Sequence, residues 1–320
     1  MNVREHLLAL SDELRRLKAD GRRTVSITDD SLAVLRSAVA AIPRPAVPAA
    51  PAGDPVAAPG SLSAGKSGDE DLAPVSVPAS VRALPARSGP PPGVAPIPTE
   101  LPLVVLPEGD KRVRWEALRE LVLNHPVCRA HVRPGKQVVL GVGSLDAKIF
   151  FCGEAPGAEE EVQGEPFVGP AGQLLTRMIQ GMGLRREDVY IGNIMNWRPE
   201  MPVNASGVQF GNRPPTPEEL AFCLPFLRAQ LAIVQPQLIV ALGATAAGGL
   251  LGAGTFKALG EIRGRWHTFS GIPLMVTYHP SYILRNQSTR SKRMIWEDLL
   301  QVMERAGLPV SEKQRGYFLG

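Results

Sequence analysis

A chain of 320 residues with 44% hydrophobic and 21% charged side chains has material for a sizeable core and an additional region. Three cysteines (Cys128, Cys152, Cys223) exclude a disulfide framework and fit a reducing compartment. The net charge of +4 hides a split, because the basic surplus lies after residue 110 and suits a polyanion more than a membrane surface.

The opening residues carry Arg4 and Glu5 where a secretory leader needs an apolar run. The longest uncharged stretch, 230–256, is interrupted by Gly and Pro. Neither export nor a membrane span is expected, and the cytoplasm is the expected location. Residues 2–19 set Val3, Leu7, Leu10, Leu14 and Leu17 at three- and four-residue steps, which predicts an amphipathic helix. Asp29 can cap a second helix through residue 41. Residues 1–42 thus read as a short helical segment, able to engage a protein partner.

Residues 43–110 are rich in Pro and Ala and contain no aromatic side chain. So few large side chains cannot offset the entropy of ordering, which predicts a disordered linker. Within it, Gly60 to Ser67 matches the phosphate-loop pattern G-x4-G-K-S. That pattern works only between a buried strand and a helix, which aim backbone N–H groups at phosphates. Here Pro-Ala repeats precede it and Gly-Asp-Glu-Asp follows it, so no nucleotide site is expected, and Lys66→Ala is expected to change no activity.

From residue 111 to about 308 the pattern is that of a folded domain, with 309–320 as a tail. Helices are expected over 115–124, 171–181, 216–234 and 290–305, with another after Gly243. Short apolar runs at 148–152, 189–193, 237–242 and 273–277 read as strands. Alternating strands and helices predict a three-layer α/β/α domain on a central four-stranded, mainly parallel sheet. Ligands of such sheets sit at the carboxyl ends of the strands. The polar motifs fall there: Glu154 to Phe167 after the first strand, Asn193 after the second, His279 after the fourth. Seven basic residues between Lys257 and Arg293, against Glu261 alone, follow that His.

In sequence order, GEAPG at 153–157, GEPFVGPAGQLL at 164–175, Asn193 with Arg198-Pro199, NRPPTPEE at 212–219, LIVALG at 238–243 and TYHPSYILR at 277–285 resemble the uracil-DNA glycosylase superfamily, family 4 type most closely. The resemblance spans about 125–300 and leaves the first 110 residues outside. It implies a monofunctional, base-flipping DNA repair hydrolase that cleaves the N-glycosidic bond of uracil in DNA, since a base inside a duplex cannot be reached. The loop with Glu154, Ala155 and Glu160 would line the uracil pocket. Phe167 would stack on the extruded base, Asn193 would read its edge, and His279 would donate to uracil O2. Pro280, Ser281, Tyr282 and Arg285 would press into the DNA. Ala155 stands where other members carry a water-orienting Asp, so Glu154, Glu160 or backbone groups must position the water. Glu160 could instead narrow the pocket near the methyl group that distinguishes thymine.

The family 4 type also carries a [4Fe–4S] cluster on four cysteines. The corresponding residues here are His125, Cys128, Trp197 and Cys223. Two thiolates are too few for such a cluster, and an indole cannot ligate. No cofactor is therefore expected, with His125 and Trp197 filling the volume. Residues 200–211 read as a polar insertion. The alternatives are a catalytically weakened DNA-binding member, or a glycosylase for hypoxanthine or xanthine.

Overall fold

The computed structural model describes residues 96–204, 209 and 211–319. The helices expected within 1–42 and the phosphate-loop match at 60–67 lie outside these residues. Helix α1 (Lys111–Asn124) starts where Asp110 accepts a hydrogen bond from the Val113 amide at 2.9 Å. A five-residue helix α2 (Pro126–Ala130) follows. Ordered packing begins before α1, because Ile97, Val104 and Leu106 lie against the cluster around Leu118, Trp197 and Phe226.

Six strands form one sheet in the order β1-β3-β2-β4-β6-β5. The four apolar runs of the sequence are its parallel centre: β2 (Ile149–Gly153), β3 (Tyr190–Asn193), β4 (Leu238–Leu242) and β6 (Ile272–Thr277). Two antiparallel edges, β1 (Val142–Gly143) and β5 (Trp266–Phe269), the latter preceded by the short helix α7 (Leu259–Ile262), extend the expected four-stranded sheet. One is too short to show a period, and the other mixes polar and aromatic residues at a half-exposed edge.

Alternation along the central strands builds two cores. Ile149, Phe151, Leu238, Val240 and Leu242 face one side, against α4 (Pro170–Gly181) and α9 (Thr289–Arg305). Phe150, Cys152, Ile239, Ala241, Leu274 and Val276 face the other, against α5 (Pro217–Val234) and α6 (Ala244–Leu251). Helix α5 opens with a capping box in which Thr216 and Glu219 serve each other's backbone amides.

The C-terminal tail is part of the fold. Helix α10 (Glu312–Arg315) is clipped on by Trp296 Nε1, which donates to Gln314 O at 2.6 Å. Gln314 Nε2 donates in turn to Gly181 O at 2.9 Å. No described helix is long and apolar enough to cross a membrane.

Candidate functional site

The parallel strands end on one side of the sheet, and their following loops enclose a cavity of about 410 Å³. The loop after β2 supplies Ala155, Glu160 and Phe167, the end of β3 supplies Asn193, and the turn after β6 supplies His279 and Ser281. Arg198, Asn212 and Arg285 complete the rim.

Phe167 is buried and held at φ 55°, a left-handed backbone that a bulky side chain adopts only when its surroundings impose it. Gly172 explains the constraint, since a Cβ there would overlap the Phe167 carbonyl. Gly153 does the same on the other side, where a Cβ would overlap Asn193 Oδ1 and the Phe167 ring. The two glycines let Asn193 and Phe167 close on the strand end. Among the described residues, Asn193 Oδ1 has no hydrogen-bond partner, although the residue is buried. An unpaired buried acceptor is costly and marks a place where a ligand can supply the partner.

His279 caps α8 (Pro280–Arg285). Its Nδ1 accepts from the Ser281 amide at 3.2 Å and lies 2.8 Å from Ser281 Oγ. That acceptor role leaves the proton on Nε2, so the neutral ring still carries one donor. Burial, and after it the charge of Arg285, lower its pKa to about 4. The ring sits 5.6 Å from that of Phe167. Gly243 fixes it from behind: its amide donates to Thr277 O at 2.9 Å, and a Cβ would come within 3.0 Å of His279 Cβ.

Glu160 lines the cavity and accepts from the Gly169 amide at 3.3 Å. Glu154 does not line it; the carboxyl is held by Thr245 at the start of α6, and burial pushes its pKa above the ordinary carboxylate range. Pro280 is buried in the first turn of α8. Tyr282 stacks on Tyr278 at 4.3 Å, leaving Ser281 and Arg285 as the loop residues at the cavity.

The basic stretch after residue 257 is not one surface. Arg263 points inward to Asp298 at 2.6 Å, and Thr277 Oγ1 donates to the same carboxylate at 2.6 Å. Arg293 pairs with Glu297 and holds the carbonyls of Arg315 and Tyr317.

Arg198, quoted with Pro199 among the sequence motifs but given no role there, lines the cavity. It bonds Glu161 at 2.9 Å, Asn212 Oδ1 at 2.8 Å and Gly211 O at 2.7 Å. It thereby ties α3 (Glu160–Gln163) to the far rim. Its signal in sequence is the Arg198-Pro199 pair of the resemblance, which does not say what the guanidinium holds.

Of the four positions that the sequence resemblance matched to a cluster, Cys128, Trp197 and Cys223 lie in a third core, and His125 packs on its rings. Cys128, Trp197 and Cys223 are fully buried. Trp197 stacks on His131 at 5.0 Å, and His125 meets Phe222 and Phe226 edge-on at 5.4 and 5.5 Å. Burial pushes the Cys128 thiol up to about 12 and the Cys223 thiol well up also. Two thiols, an imidazole packed among rings and an indole do not fit a four-thiolate iron–sulfur cluster. Among the described residues, no three His, Cys, Asp or Glu side chains are grouped to hold a metal ion.

Residues 140–300 match the family model described as the uracil DNA glycosylase superfamily. With this sheet and this cavity at its carboxyl edge, the chain belongs to that superfamily. A type-4 uracil-DNA glycosylase of Thermotoga maritima is 43% identical over 187 residues, which are 58% of this chain and 90% of the relative. Type-4 enzymes of Pyrobaculum aerophilum and Saccharolobus solfataricus are 37% and 38% identical over 55% and 53% of this chain, covering 88% and 76% of those proteins. Within the superfamily, the chain is of the type-4 branch.

Proposed function

We infer that this protein is a DNA repair hydrolase that removes uracil from DNA by cleaving its N-glycosidic bond. The observation that carries this reading is the meeting of Phe167, Asn193 and His279, from the ends of three parallel strands, on one cavity. The Asn193 acceptor without a partner suits uracil N3–H, and the amide's other end suits O4. Phe167 offers a face for stacking.

As the bond between N1 and C1′ breaks, its electrons go to the base, and the sugar takes on oxocarbenium character. Nε2–H of His279 donates to O2, where the charge gathers. Water then adds to C1′ and loses a proton. Glu160, at the cavity wall, is better placed to orient that water than Glu154, which is turned to Thr245. No lysine lines the cavity, so an imine with the sugar, and strand cleavage through it, is not expected.

The test is a single-uracil oligonucleotide, treated with alkali after incubation and run beside hypoxanthine, xanthine and thymine versions. Cleavage confined to the uracil strand supports the reading; an intact uracil strand refutes it. Glu160→Ala separates two roles: lost uracil excision marks water placement, and gained thymine excision marks a methyl gate.

The ring-filled third core supports a fold that works without an iron–sulfur cluster, its corner closed by apolar burial. Purified protein with bound iron and a visible thiolate-to-iron absorption would overturn this. We place the activity in the cytoplasm, and we assign the expected N-terminal helix to a protein partner. Binding experiments with residues 1–42 test that assignment.

A further inference from the structure

A second cavity, of about 860 Å³, lies apart from the one holding His279. Helix α1 forms one wall, presenting Glu116, Arg119, Glu120 and Leu123 at helical spacing on one face. Residues 129–138 form the other, with Arg129, Arg133 and Lys136. Cations outnumber carboxylates, with Arg119, Arg129, Arg133 and Lys136 against Glu116 and Glu120. Glu116 is taken by Arg112 at 3.0 Å. Arg133 holds the Met201 carbonyl, and Lys136 leans to Glu161 at 3.7 Å. Among the described residues, neither Arg119 nor Arg129 has a carboxylate partner, though both line the groove.

The groove and the catalytic cavity share a wall. The Gln137 amide donates to Glu161 O at 2.7 Å, and Gln137 Nε2 donates to Val162 O at 2.8 Å. Those acceptors belong to α3, whose Glu160 faces the cavity. One short helix therefore lies between Gln137, at the groove's edge, and the base pocket. Arginine in an open groove matches phosphate in charge and geometry.

We propose that this groove holds the backbone of the DNA strand at a distance from the uracil, with Arg119 and Arg129 on its phosphates. The proposal rests on the uracil-DNA reading and adds a second contact region to it. Phosphate contacts of this kind set affinity and register and carry no sequence information.

The experiment uses the full chain, with Arg119→Ala and Arg129→Ala combined, and two single-stranded substrates. One is a uracil oligonucleotide too short to leave the pocket; the other is long enough to cross the groove. The double variant keeps kcat/KM on the short strand. On the long strand its KM rises roughly tenfold at low salt, and the slope of log KM against log salt shrinks by about 1.4, two contacts at about 0.7 each. The Arg119→Lys, Arg129→Lys pair keeps the charge and restores the slope, which an effect on folding alone would not do. Equal behaviour of the double variant and the native chain on the long strand overturns the proposal, as does an equal loss on both lengths. Inorganic phosphate stabilising the native chain but not the variant, with long-strand binding unaltered, makes the groove a small-anion site and also overturns it. If the native chain excises uracil from neither length, the functional reading fails instead, and binding of an uncleaved long strand still decides the groove.

Discussion

In the proposed mechanism His279 combines two properties that usually conflict: it donates a hydrogen bond to a forming anion, and it is neutral. Ser281 occupies Nδ1, and burial with Arg285 keeps the second proton off. A neutral donor costs less to hold in a dry pocket than a charged one. His279→Ala is expected to lower kcat roughly 10²–10³-fold, the scale for one preorganised donor, in single-turnover excision. With a folded pKa of about 4 against 6.5 unfolded, the unfolded chain binds more protons between those values. Stability from this group is complete above about pH 6.5 and is lost as pH falls through 4. Urea titrations of the native chain against His279→Asn are expected to show a gap that changes over that window, by up to about 3 kcal/mol, and is level above it. Asn193 belongs to the same scale. Asn193→Ala removes the reading of the uracil edge while leaving Phe167 to stack, so discrimination against cytosine is expected to fall together with rate, measured as relative kcat/KM on paired oligonucleotides.

At the scale of elements, the turn that carries His279 is fastened from behind. Thr277, the last residue of β6, bonds Asp298 of α9, and Arg263 bonds the same carboxylate twice. Asp298→Ala removes the carboxylate that the half-buried Arg263 and the buried Thr277 share, at a cost of about 1–3 kcal/mol in chemical denaturation. Because Thr277 then loses its acceptor, kcat is expected to fall while KM on the short oligonucleotide changes less. Trp197 anchors a different corner. Trp197→Ala opens a ring-sized void at a cost of about 3–5 kcal/mol. Replacing Cys128 and Cys223 together by Ala, which removes only small buried thiols, is expected to keep excision, measured in the same assay.

These elements also show what sequence could and could not tell. The central strands were legible because each is an unbroken apolar run closed by a turn residue, as in 148–152 before Gly153. Phe167, Asn193 and His279 were legible as candidates because they follow such runs. Edge strand β5 was not, since half-exposed Trp266 and His267 carry no period. Glu154 and Glu160 look alike in a string of letters. Only the fold turns one to Thr245 and the other to the cavity. The inward turn of Arg263 was equally hidden, because its partner Asp298 lies 35 residues away.

For the whole molecule, the relevant boundary is where packing starts. Ile97, Val104 and Leu106 cover the third core, whereas Leu101, Leu103 and Val105 face solvent. A chain starting at residue 96 is expected to excise uracil in vitro at the native rate and to melt at the native temperature. A chain starting at residue 111 uncovers those three contacts and is expected to melt several degrees lower, by differential scanning fluorimetry. Equal melting of the two truncations would remove residues 96–110 from the domain.

The stacked rings of Trp197 and His131 have a consequence for the cell. Thiolate-bound iron is where peroxide and metal scarcity strike, and the same oxidative episodes that damage bases would then disable the repair enzyme. On the cluster-free reading proposed above, the corner that Trp197 and His131 close holds no iron to lose. Extracts from iron-starved or peroxide-treated cultures are therefore expected to retain this protein's excision in full.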